Sequence, residues 1–160
     1  MAFLKYRLDR SKAAATLDVA KRWFVDRYEE ISHFDGEFLR LLHAIEHVRG
    51  DRPSSRGVRD DYYLKGAYGM CREMRDRARA QVGTVGLEFV SSIEGATDAA
   101  MAWLDELAHC NRLELGSSQL PEDQRTRLDT LEGDYWQADE HRLQVRRELL
   151  EQKVPPALKP

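Results

Sequence analysis

The sequence predicts an all-α fold, a bundle of about five helices with a long C-terminal helix. Apolar residues recur at three- and four-residue intervals along most of the chain, glycine and proline fall between those stretches, and the last stretch carries the strongest periodicity of all. At 160 residues the chain has the size of one ordinary domain. Its expected extent is residues 1–154, followed by an extended proline-containing tail at 155–160.

The first helix is expected to start with Ser11 as N-cap and to run to about Ile31. Leu17, Ala20, Phe24, Tyr28 and Ile31 share one face, which is assigned to the core. Asp35 can cap a second helix whose apolar stripe is Phe38, Leu41, Leu42, Ile45 and Val48; Gly50 and Pro53 end it, and a loop runs to about Gly57. A third helix over about Val58–Val82 buries Tyr63, Ala67, Met70, Met74 and Ala78, with Gly66 and Gly69 permitting close approach of a neighbour. Gly83 and Gly86 bracket a turn. A fourth helical stretch, about Leu87–Leu115, is either one piece or divided near Gly95, with Thr97 able to cap a second half, and Gly116 closes it.

The fifth helix opens at Pro121 with Glu122 and Asp123, a proline suited to the first turn and two acids suited to the positive end of the helix dipole. It is expected to continue to about Lys153. Leu128, Leu131, Tyr135, Ala138, Arg142, Val145 and Leu149 form a heptad seam with one charged interruption. Trp136, Leu143 and Leu150 form a second row on another side, giving the helix more apolar surface than one neighbour covers; either the helix is the spine of its own bundle, or its distal part, Leu143–Leu150, leaves the bundle and pairs with another subunit or protein.

Apolar residues at 42% and charged residues at 33% suit helices that each bury one stripe and solvate the rest. Charge interrupts the first residues, Met1 to Arg7, and no window approaches the ~18 apolar residues of a membrane span. The expectation is a cytoplasmic protein without membrane contact. Cys71 and Cys110 lie 39 residues apart in helical patterns and read as reduced, buried thiols. Net charge is −3, but residues 1–80 carry 17 basic and 13 acidic side chains against 8 and 15 in residues 81–160. Such polarity suits head-to-tail self-association or a charged partner.

Few motifs carry chemistry. Glu30–His33 and Glu106–His109 are Glu-x-x-His pairs whose spacing puts both ligands on one helical face, as in carboxylate-bridged di-metal bundles, with Glu46 and Glu73 as nominal further ligands. Their wheel positions point largely away from the apolar stripes, whereas ligands of a buried site must point inward. His43 and His47, at i, i+4, are two metal-type ligands without a third. His109 adjoins Cys110, but helical neighbours diverge by about 100° and do not form a nucleophile–base pair. No phosphate loop, nucleophile elbow, kinase or zinc-finger signature is present. No catalytic residue, resident metal or cofactor is therefore assigned.

One stripe is more distinctive. Lys65, Tyr68, Arg72, Arg75 and Arg79 follow one another at steps of three and four on the third helix, opposite Met70 and Met74. Such a surface can be a solvated or intramolecularly paired face, with Asp61, Glu73 and Asp76 close by, can dock an acidic protein face, or can follow a phosphate backbone. The leading expectation is a non-enzymatic helical interaction subunit, an adaptor or regulator in a larger assembly or a homo-oligomer, using Trp136, Leu143 and Leu150. A nucleic-acid-associated subunit using the basic stripe ranks second and a metal-binding bundle third.

Overall fold

The computed structural model describes residues 2–49, 56–112 and 120–151, with side chains at 12–49, 62–110 and 120–151. Among these residues every regular element is an α-helix: α1 (Ala2–Arg49), α2 (Arg56–Ala80), α3 (Val82–Val85), α4 (Leu87–Arg112) and α5 (Glu122–Glu151). The expected loop between the second and third helices, the chain end beyond Glu151 and the closure at Gly116 lie largely or wholly outside the described residues.

The two expected N-terminal helices are one. Positions 13, 17, 20, 24, 27, 31, 34, 38, 41, 45 and 48 alternate steps of four and three without a break, and no proline interrupts them. Asp35 is therefore not a cap. Its carboxylate accepts from Arg142 Nη1 at 3.0 Å and Arg146 Nε at 2.6 Å, which ties the middle of α1 to α5. A side chain satisfied by another helix has no need to terminate its own.

Four long helices run alternately up and down. Arg77 donates to both carboxylate oxygens of Glu30 at 2.9 Å, joining the end of α2 to α1. Arg49 with Glu132 at one end, and Asp35 with Arg142 further along, set α5 antiparallel to α1. The short α3 packs between α1 and α4 at the end of the bundle where α2 finishes. Gly86 follows it with φ +87°, a left-handed conformation suited to glycine, and α4 starts at once.

α4 does not break at Gly95. Thr97 is buried, and its hydroxyl donates to Ile93 O at 2.8 Å and Glu94 O at 3.0 Å within the same helix, so it braces the helix rather than capping a second half. The start of α5 matches expectation, with Glu122 and Asp123 in its first turn and the N–H of Arg125 on Pro121 O at 3.0 Å.

The core joins Ile31, Phe34, Phe38, Leu41, Ile45 and Val48 of α1 to Ala67, Cys71, Met74 and Ala78 of α2, the apolar face of α4, and Tyr135, Val145 and Leu149 of α5. Phe34 meets Phe89 edge-on with centroids 5.7 Å apart, and Trp103 packs on Tyr135 at 5.6 Å. Met70 and Tyr63 are only partly buried, packed against this core.

Candidate interaction surfaces

The fully buried stretch of α1 begins at Arg27, with Ala20 and Trp23 partly covered ahead of it. The Arg27 guanidinium lies 3.6 Å from the centre of the Trp23 ring, and burial lowers its pKa. From Arg27 to Val48 every position of the seam is covered. On the N-terminal side the same seam continues into solvent: Leu17 is 56% exposed and Phe24 38%, with Val25 and Tyr28 beside them. The expected core face of Leu17, Phe24 and Tyr28 is thus corrected. Only its last member, Ile31, is buried, because α2 gives way to α3 and α4 at the level of Glu30 while α1 continues. The described side chains of this arm, residues 12–26, span ~22 Å of helix.

A second uncovered row lies on α5. The seam from Tyr135 to Leu149 faces the core, as its spacing implies, and carries buried Arg142 between Asp35 and Asp139 and 4.2 Å from the Phe38 ring centre. On the other side Trp136 is 44% exposed and Leu143 39%, while Leu150 is partly buried against the core. From 128 to 141 the helix carries Asp129, Glu132, Asp134, Asp139 and Glu140 and no lysine or arginine. Glu132 meets Arg49 and Asp139 meets Arg142, leaving Asp129, Asp134 and Glu140 as exposed acids.

The basic stripe of α2 is largely an internal seam. Tyr68 bonds to Asp105, Arg75 to Asp98 at 2.6 Å and Arg79 to Glu94 at 2.6 Å. The rungs step by seven and four along α2 and by seven and four in reverse along α4, the signature of an antiparallel register. Arg72 falls opposite Met101 in that register, and both Arg72 and Lys65 are exposed. The sequence displays the stripe but not the acids of α4 that meet it.

No family model matches the chain. No curated protein and no solved structure matches it either.

The metal-type motifs do not converge. Glu30 is held by Arg77, His33 is exposed, and Glu106 is paired with Arg127 at 2.9 Å. Glu106 is buried, contrary to its expected outward position, because α4 is covered by α5 as well as by α2. Among the described residues no group of three or more His, Cys, Asp or Glu side chains is placed to hold a metal ion. His43 and His47 are exposed; His47 stacks on Tyr63 with centroids 4.5 Å apart and meets His43 edge-on. Cys71 and Cys110 are both buried free thiols, and burial pushes Cys71 up to about 12 and raises Cys110. At neutral pH Cys71 stays protonated and is a poor nucleophile. No described helix is long and apolar enough to cross a membrane.

Proposed function

We propose that this chain is a non-enzymatic helical interaction subunit that associates through helical surfaces left uncovered by its own bundle. The observation that carries the reading is the α1 seam. One apolar heptad pattern is buried from Arg27 onward and continues past the bundle with Leu17 and Phe24 in solvent. A helix whose exposed stretch were only a solvated extension would not need to keep that spacing, and large apolar side chains arranged in a row mark association sites.

Trp136 and Leu143 supply a second such surface, and tryptophan is enriched among residues that dominate interface energies. The basic stripe contributes less, since three of its five members are engaged by α4.

The reading is tested with Leu17→Glu/Phe24→Glu and Trp136→Glu/Leu143→Glu variants, each compared with the wild type for self-association and for quantitative capture of other proteins. All four positions are solvent-exposed, so helicity is expected to persist while association falls. Unaltered self-association and unaltered capture in both variants would overturn the reading.

A further inference from the structure

We infer that the two uncovered rows are partners for one another between copies: the α1 arm of one subunit docks on the Trp136–Leu143 face of a second. This rests on the interaction-subunit reading and names its occupant.

The rows match in spacing and in charge. Leu17 and Phe24 are seven residues apart, as are Trp136 and Leu143. Over residues 12–26 the arm carries Lys12, Lys21 and Arg22 against Asp18 and Asp26, whereas residues 129–147 of α5 carry Asp129, Glu132, Asp134, Asp139 and Glu140 against Arg142, Arg146 and Arg147. Lys21 stands four residues after Leu17 and three before Phe24; Glu140 stands at the same places relative to Trp136 and Leu143. The arm is thus net positive and the α5 stretch net negative, with Lys21 matched to Glu140, which favours this pairing over arm with arm or α5 with α5.

The two rows cannot meet within one molecule. Trp136 lies between Glu132, paired with Arg49, and Arg142, paired with Asp35, so it sits level with the C-terminal part of α1. Leu17 is on the same unbroken helix some 27 residues earlier, ~40 Å along its axis. A second copy removes the obstacle. Because α5 runs antiparallel to α1 inside a subunit, a copy turned end over end presents its α5 parallel to the incoming arm. Leu17 then lies beside Trp136 of the partner subunit and Phe24 beside Leu143 of the partner subunit. A twofold axis makes the contact reciprocal, so two arm-on-α5 contacts close a dimer rather than starting a filament.

The test is complementation by mixing, read as solution mass by light scattering after size exclusion. The wild type is expected at twice 18.5 kDa, and Leu17→Glu/Phe24→Glu and Trp136→Glu/Leu143→Glu are each expected at the monomer mass. Mixing the two variants restores one good contact, the intact arm of the second on the intact α5 of the first, and the dimer mass is expected to return in part. Arm-with-arm or α5-with-α5 association would not be rescued. Lys21→Glu/Arg22→Glu, which leaves the apolar rows intact, is expected to weaken association roughly tenfold and to remove most of its salt dependence.

A wild type that stays monomeric at ~100 μM, a concentration at which even a modest interface of ~10 μM affinity is mostly filled, would overturn the inference. So would a dimer unaffected by either variant, or a mixture that stays monomeric. A monomeric wild type that captures a different protein in an arm-dependent way would overturn the inference and leave the interaction-subunit reading standing.

Discussion

Arg142 is the residue through which the bundle's stability can be perturbed most informatively. It interrupts an otherwise apolar seam, its side chain is 4% exposed, and it holds Asp139 at 2.6 Å and Asp35 at 3.0 Å while lying over the Phe38 ring. Replacing it with alanine strands two carboxylates. Asp35 retains Arg146 at 2.6 Å and is 26% exposed, so water and a second arginine absorb part of its loss; Asp139, at 15% exposure, loses the base that holds it. Breaking a fully buried pair from one side costs about 3–5 kcal/mol, and the partial solvation of both acids places Arg142→Ala near the lower end, at about 3 kcal/mol. For a chain of this size that is a fall in melting temperature of roughly 6–12 °C. The assay is urea unfolding followed by circular dichroism, on Arg142→Ala and on Arg142→Met/Asp139→Ala. The double variant removes the stranded charge and restores apolar volume, and is expected to recover about half of the loss. A single variant within ~0.5 kcal/mol of wild type would refute the role given to this cluster.

Three further outcomes follow from the same structure. Phe34→Ala deletes a ring with no solvent exposure, packed edge-on against Phe89, and is expected to lower the unfolding free energy by about 3–5 kcal/mol in denaturant titration. Gly86→Ala places a Cβ where no atom lies within 4 Å, yet its φ of +87° disfavours any L side chain, so about 1 kcal/mol of loss is expected by the same measurement. Cys71 is raised in the folded state from 9.0 to about 12 by burial, so its contribution to stability is fully present below pH 9 and is lost as pH rises from 9 toward 12. Thiol-alkylation mass spectrometry at pH 8 should find Cys71 modified only at the rate of unfolding, and rapid labelling of the native protein would contradict its burial.

Much of the fold was legible because it rests on periodicity. The α5 seam from Leu128 to Leu149, its start at Pro121, the existence of a second row and the buried cysteines all follow from spacing and local chemistry. The errors share one physical cause: a helical wheel shows which face is apolar but not what covers it. Leu17, Phe24 and Tyr28 have the same pattern as Phe34, Phe38 and Leu41, yet only the latter are buried. Asp35 has the chemistry of a cap, and Thr97 likewise. Their actual partners, Arg142 and Arg146 for one and the carbonyls of Ile93 and Glu94 for the other, depend on register between helices or on an unbroken helix. For the α2 stripe the sequence allows an intramolecularly paired face, but its actual partners are acids on α4 that only the antiparallel register brings alongside.

The pairing of the α1 arm with the α5 row of a second copy is tested most directly by hydroxyl-radical footprinting of the full chain across a concentration series. Phe24, Tyr28, Trp136 and Leu143 are all exposed in a single subunit and all carry side chains that label readily. If the arm occupies the α5 face of a second copy, labelling of Phe24 on α1 and of Trp136 and Leu143 on α5 will fall together, over the concentration range in which the solution mass doubles. Labelling that is independent of concentration, or a fall on one helix without the other, would contradict it.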